Sequence, residues 1–247
     1  MVKKNEKQEI KYVKKILKKL NIEPIIINID IDKYIDHDWK RWKIGIIPAR
    51  NYLFAAFAGS IISKSTAPNL NIWICAHKEE IDPIHTDKSA RFFKSSSKIL
   101  SSAYNKNITV STPFANITKP EIISYWNKAW TKKYGLSVYE TMSCYFGINC
   151  GECKACFNRA VVFTCIGIDL DEFKTNPFED KNGNIQKSYI NKFKTLNNIR
   201  QLDFLFALNE KKSLLPPELK KFLDKNYQKY DKLIENRIKT IRTTNKI

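Results

Sequence analysis

SCYFGINCGECKACFNR, residues 143–159, places four of the chain's six cysteines within thirteen positions. Cys144, Cys150, Cys153 and Cys156 follow the spacing Cys-x5-Cys-x2-Cys-x2-Cys, with Gly147 and Gly151 between them. Thiolates take Zn²⁺ tetrahedrally at about 2.3 Å, and two Cys-x2-Cys steps sharing Cys153 turn the backbone so that successive sulfurs converge. Gly151, between the second and third ligands, supplies the positive φ that a tight knuckle often requires. Four cysteines fill a tetrahedral ion and leave no position for an activated water, so the spacing predicts a structural zinc knuckle. An iron–sulfur cluster also uses four thiolates, and a pair of disulfides or a redox Cys-x2-Cys remain alternatives; the absence of a ferredoxin-type run favours zinc. Cys75, in an apolar stretch, and Cys165, in VVFTCIGI, read as buried thiols outside the site.

Working outward, residues 8–20 carry Ile10, Val13, Ile16, Leu17 and Leu20 at helical spacing among lysines. EPIIINIDI (23–31) has the β-branched character of a buried strand. ARNYLFAAFAGSIISKS (49–65) reads as an apolar helix, NLNIWICAH (69–77) as a strand, TDKSARFFKSSSKILSSAYN (86–105) as a helix and NITVSTPF (107–114) as a further strand. In ITKPEIISYWNKAWTKKYG (117–135), Thr118 suits an N-cap, Pro120 a first turn and Gly135 a stop. Residues 187–209 and 216–240 read as basic amphipathic helices separated by Pro216 and Pro217. The alternation predicts an α/β fold with a doubly wound, mostly parallel sheet. A composition shift near Asp169 divides a domain at 1–169 from a helical extension at 170–247, or else marks a helical layer packed onto the same core.

The formal charge is +18, from 43 Lys and Arg against 25 Asp and Glu; residues 170–247 carry 17 of the former and 10 of the latter. Such an excess favours an anionic partner such as nucleic acid, nucleotide or phosphate, although lysines spread through Ile- and Asn-rich sequence also read as solvated faces. The N-terminal MVKKNEKQEIKYVKKILKK lacks the apolar core of a signal peptide, and no segment approaches the roughly 18 apolar residues of a membrane helix. The expectation is a cytoplasmic protein without membrane contact.

ETMSCYFGINCGECKACFNRA (140–160) resembles the zinc segment of the 7-cyano-7-deazaguanine synthases, of the PP-loop ATP pyrophosphatase superfamily, through Ser143, Cys144, Tyr145, Gly147, the later cysteines and Arg159. IPARNYLF (47–54) is similar to that family's Pro-Gly-Arg-Asn segment, with Ala49 in place of the glycine. HKEEIDPIHTDKSARFF (77–93) matches a Pro-Asp pair at Asp87, with Thr86 for the proline, and TPFANITKPEII (112–123) matches through Thr112, Pro113, Thr118, Lys119 and Glu121. Several separated motifs agreeing in order, over residues 8–165, weigh far more than one.

The resemblance implies a Rossmann-like, adenine nucleotide alpha-hydrolase-like fold and a ligase of queuosine precursor synthesis. It would use ATP, with Mg²⁺ as a candidate, to turn the carboxylate of 7-carboxy-7-deazaguanine into a nitrile through an acyl adenylate. It also implies site roles. Arg50 and Asn51, opening a helix, meet a phosphate or carboxylate; Asp87 holds Mg²⁺ or a guanine-like edge, or else caps a helix. Lys119 neutralises phosphate or else lies on a solvated face, and Arg159 offers an anion a guanidinium on a base fixed by the knuckle or else is a surface arginine at a helix start. Tyr145 covers the metal in preference to stacking on a purine. His77 and His85 are weaker candidates. The family's Ser-Gly-Gly-x-Asp-Ser loop, which cradles pyrophosphate, has no counterpart here: the seven glycines are isolated. A truncated, a split or a remodelled protein is therefore expected, with a partner chain that supplies the loop, or a noncatalytic family member in a nucleic-acid modification or anti-phage defence assembly contacting nucleic acid through its basic surface. A homodimer is expected by analogy alone.

Overall fold

A computed structural model describes residues 3–28, 49–81, 86–179, 188 and 190–244. The chain groups into two compact units, one of residues 1–24 with 119–247 and one of residues 25–118.

The second unit contains α2 (Arg50–Ile62), β1 (Asn69–Trp73), α3 (Ala90–Tyr104) and β2 (Asn107–Ser111). β1 and β2 pair in parallel, Leu70 opposite Ile108 and Ile72 opposite Val110, and α3 makes the crossover. Parallel neighbours need such a connection, and the helix covers the sheet face it crosses. Leu70, Ile72, Ile108 and Val110 are buried with Ala55, Phe93 and Leu100 from the helices. Ser89 caps α3 by accepting the Phe92 N–H, and Ser97 and Ser101 of that helix bond the β2 backbone at Val110 and Ile108.

This is an α/β fold with a parallel sheet, but the strands are shorter than the apolar runs that announced them. Beyond Trp73 the chain makes one more ladder bond, Ile74 N–H to Ser111 O at 2.9 Å, and then bends. Residues 22–28 form no strand: Ile25, Ile26 and Ile27 are 72%, 45% and 47% exposed. β-branched sequence makes a strand only where a neighbour accepts its hydrogen bonds, and among the described residues the sheet has only two strands. The rest of the strand expected at 23–31, Pro48 and His85 lie outside the described residues.

The first unit is helical: α1 (Lys3–Lys19), α4 (Lys119–Tyr125), a π turn (Trp126–Trp130), α5 (Thr131–Tyr134), α6 (Lys154–Ile166), α7 (Asn198–Glu210) and α8 (Pro217–Thr243). Thr118 directly precedes α4, and Gly135 ends α5 at φ 63°. α7 is buried along Asp203–Leu208, between α6 and α8, and α8 offers it Leu219, Leu223, Ile234, Ile238 and Ile241. Phe157, Phe178, Phe193, Phe204 and Phe222 stack edge-on or tilted, with centroids 5.2–6.4 Å apart. Each fully buried ring contributes roughly 1.5–3 kcal/mol over an exposed one.

Because α7 and α8 share this core with α6 and the cysteines, the boundary read near Asp169 falls inside one unit. Arg237 of α8 ties three helices, bonding Asp203 of α7 and Glu121 of α4 at 2.9 Å each. Burial opposes its charge, and the two carboxylates hold it protonated.

Candidate functional site

Cys144, Cys150, Cys153 and Cys156 are buried and their sulfurs lie within 4.8 Å of one another. Sγ–Sγ separations are 3.7 Å for Cys144–Cys150, 3.9 Å for Cys150–Cys156 and 3.5 Å for Cys153–Cys156. Four sulfurs about 2.3 Å from one ion stand about 3.8 Å apart at the corners of a tetrahedron, whereas a disulfide holds them at about 2.05 Å. The spacing fits a tetrahedral thiolate-bound ion and no bridge.

The backbone prepares the sulfurs for negative charge. Phe146 and Cys150 N–H groups point at Cys144 Sγ, both at 3.4 Å, the Glu152 N–H at Cys150 Sγ, and the Cys156 N–H at Cys153 Sγ, which also caps α6. A hydrogen bond from the Cys156 thiol brings Cys153 down to about 4. The same bond, with burial, pushes Cys156 well above the ordinary thiol range. Neighbouring thiolates repel, so one ionises at the other's expense until a cation lets all four do so. Gly151 sits at φ 81° with the Thr175 carbonyl where a Cβ would be; any side chain would break the knuckle's packing.

Arg159, on α6, is buried at 5% exposure. Its Nε and Nη2 bond Glu172, Nη1 donates to Thr141 Oγ1 at 2.7 Å, Nη2 to the Val138 carbonyl at 2.9 Å, and the guanidinium lies 4.6 Å from the Phe163 ring centre. The anion it meets is this chain's own carboxylate. Tyr145, expected to cover the metal, is 57% exposed, while Phe173 and Phe178 share the buried cluster of the four cysteines.

In the α/β unit, Arg50, Asn51, Phe54, Trp73, Ile74, Cys75, Ala76, Glu80 and Lys88 line a cavity of ≈ 320 Å³ beyond the C-terminal end of β1. Crevices outside the carboxyl ends of parallel strands are where α/β sheets bind ligands. Asn51 is buried, and its Nδ2 donates to the Asp87 carbonyl at 3.2 Å, pinning α2 to the turn before α3. Arg50 Nε is buried with no hydrogen-bond partner among the described residues. Lys88 pairs with Glu80 at 2.9 Å, and His77 lies between Glu79 and Glu80 at 3.1 and 3.4 Å. The cavity thus presents a guanidinium and a carboxylate together.

The queuosine biosynthesis protein QueC family matches residues 2–167. The chain belongs to the QueC family. Curated relatives named 7-cyano-7-deazaguanine synthase include one from Staphylococcus epidermidis, 29% identical over 171 residues, covering 62% of this chain and 73% of the relative. One from Staphylococcus saprophyticus is 31% identical over 122 residues, covering 46% of this chain and 50% of the relative. No solved structure matches.

Of the residues singled out by resemblance to the QueC family, Arg50, Asn51 and Asp87 gather in the α/β unit, while Lys119 and Arg159 belong to the helical one. Asp87 contributes its carbonyl, and Ser89 caps the helix in its place. Lys119 opens α4, half-buried. Sequence reasoning missed Glu80, Lys88 and Cys75 as cavity residues. Cys75 is exposed and not a core thiol, because β1 ends two residues before it. A run of carboxylates after a strand, at Glu79 and Glu80, was the available signal. Among the described residues no helix is long and apolar enough to cross a membrane.

Proposed function

We propose that the chain acts as a 7-cyano-7-deazaguanine synthase-type protein whose Arg50 cavity receives a 7-deazaguanine carboxylate or its adenylate. The observation that carries this reading is the buried Arg50 Nε, which has no partner among the described residues and lines the same cavity as Glu80. A desolvated guanidinium donor lacking an acceptor is costly unless a ligand supplies one. A carboxylate or phosphate does so, and Glu80 complements the N1–H and exocyclic amine of a guanine-like edge. Asn51 and Asp87 position Arg50 through the α2–turn bond, and Asp87 is the candidate for Mg²⁺.

A carboxylate resists substitution because oxide is a poor leaving group. In the proposed sequence its oxygen attacks the α-phosphorus of ATP and pyrophosphate leaves. Ammonia then attacks the acyl carbon, the bond to AMP breaks, and an amide remains after loss of a proton. Adenylation of the amide oxygen by a second ATP releases a second pyrophosphate, and loss of AMP with both amide protons gives the nitrile. The chain's contribution would be to fix the carboxylate and neutralise developing charge. Zn²⁺ would be held by the four cysteines and would supply folding energy, not chemistry. The wider doubly wound sheet, a cytoplasmic location and a homodimer are parts of the same proposal.

With no Gly-Gly pair in the 247 residues, pyrophosphate binding of that kind would need a loop from outside these residues, such as one on a partner chain. A second reading, a partner-dependent or noncatalytic member of a nucleic-acid modification or defence assembly, rests on that observation. Pyrophosphate release from ATP with 7-carboxy-7-deazaguanine and ammonia, with and without a chain carrying Ser-Gly-Gly-x-Asp-Ser, separates the two. Calorimetry tests the cavity directly. Arg50→Met should weaken binding of 7-carboxy-7-deazaguanine by roughly 10- to 100-fold, the range of a hydrogen bond to a charged group, and leave zinc content unchanged. Absence of binding to the parent protein would remove the proposal.

A further inference from the structure

His77 and Glu79 are 9% and 6% exposed, and the proposed reaction uses neither. They stand on a turn that is held in place. The Ala76 carbonyl accepts from Thr112 Oγ1, the Lys78 N–H donates to the Ile117 carbonyl at 3.0 Å, and the His77 carbonyl accepts from the Glu80 and Ile81 N–H groups at 2.7 and 3.2 Å. A buried ion pair gains little net stability over apolar side chains of the same size. Its contact with a cavity residue calls for another role.

Four side chains form a line that ends in the Arg50 cavity. Glu79 Oε2 lies 3.1 Å from His77 Nδ1, His77 Nε2 lies 3.4 Å from Glu80 Oε2, and Glu80 Oε1 lies 2.9 Å from Lys88 Nζ. Glu80 and Lys88 line the cavity. His77 Nδ1 is sealed from water, and its approach to Glu79 is an ion-pair contact, not a hydrogen bond. A ring with a nitrogen toward each of two carboxylates matches a protonated imidazole, which offers one N–H donor on either side. Lys88 alone would let the Glu80 carboxylate pivot about Oε1. The contact at Oε2 fixes its plane. A carboxylate held so meets a ligand edge carrying two adjacent N–H donors with both oxygens at once, whereas one that pivots gives up that match.

We propose that His77 is a positioning residue: backed by Glu79, it holds the Glu80 carboxylate where both oxygens meet the two adjacent N–H donors of a 2-amino lactam edge, and so makes the cavity discriminate against an edge with one. The inference deepens the reading of the cavity as a guanine-like site and rests on it. Recognition is sharp only where the groups behind the contacting residue lock its rotamer. A site built to pair a donor also rejects the analogue that lacks it, because its own acceptor is then left unmet.

The test is calorimetry with 7-carboxy-7-deazaguanine and its counterpart lacking the exocyclic amine. The parent should prefer the former by roughly 10- to 100-fold, the range of a hydrogen bond to a charged group. His77→Leu alone would strand the buried Glu79 carboxylate, so it is combined with Glu79→Leu. The double variant should lose most of the preference while binding the desamino compound as the parent does, which verifies its fold. His77→Gln, which keeps an uncharged donor for Glu80, should fall between the two. Arg50→Met, by contrast, should weaken both compounds alike and leave their ratio unchanged. A parent that binds neither compound overturns the cavity reading and this inference together. A parent that binds both equally, or either His77 variant keeping the parent's full preference, overturns this inference and leaves the Arg50 reading standing.

Discussion

In the helical unit Arg159 is buried with Glu172, Thr141 and the Val138 carbonyl around it. In the α/β unit Arg50 is half-buried with its Nε sealed from water and no partner among the described residues. Arg50 opens α2 and Arg159 lies in the middle of α6, and both fall in stretches that resemble one family. The difference lies in what surrounds them. Around the knuckle, four thiols, an ion pair and five phenylalanines fill one another's requirements, and that unit behaves as a finished scaffold. At the cavity, polar groups are placed but not completed, as expected where a ligand finishes the arrangement.

The largest expected effect strikes the finished side. Cys153→Ser leaves three thiolates while a serine can still cap α6, so zinc should be lost and the helical unit destabilised by several kcal/mol, since the ion's binding energy is folding energy. Metal analysis and thermal melting should show both, and a strong chelator should reproduce the melt in the parent.

Arg159→Met should cost about 3–5 kcal/mol by stranding the buried Glu172 carboxylate, yet retain zinc. Adding Glu172→Leu should restore most of that loss. If the single variant melts with the parent, the pair is not the internal staple described above.

How much of this was legible depended on the range of the interactions. The knuckle could be read because its ligands are thirteen residues from end to end and the spacing is itself the geometry. The helix start after Thr118 and the stop at Gly135 are local for the same reason. Arg159's partner, thirteen positions downstream, followed no pattern, so a buried structural guanidinium read as a binding one. Ile25–Ile27 carried a strand signal without a neighbouring strand among the described residues, and the cavity required Glu80 from the turn after β1 and Lys88 from the 3₁₀ turn ahead of α3.

Ala49 sharpens the comparison on the open side. It stands where the resembling family has glycine, and it takes φ 56° and ψ 17°, a left-handed conformation that costs a residue with a Cβ about 1–2 kcal/mol. Ala49→Gly should therefore stabilise the α/β unit by about 1 kcal/mol in denaturant melts. This runs against the usual penalty for glycine beside a helix; destabilisation would show that the strain is absent.

The smallest effect concerns α1. Lys19, then Lys15, hold the Glu140 carboxyl at about 2, against an ordinary 4.5. A depressed carboxylate contributes stability above its unfolded value and loses it as pH falls toward its folded one. Glu140→Gln should cost under about 1 kcal/mol at pH 6, because the lysines are exposed. The gap from the parent should close between pH 4.5 and 2.

Zinc X-ray absorption on the purified protein reaches the core of the account most directly. One zinc per chain with four sulfur neighbours at about 2.3 Å is the predicted spectrum. A shell containing nitrogen or oxygen, an iron cluster, or metal-free protein with sulfurs joined at about 2.05 Å would contradict it.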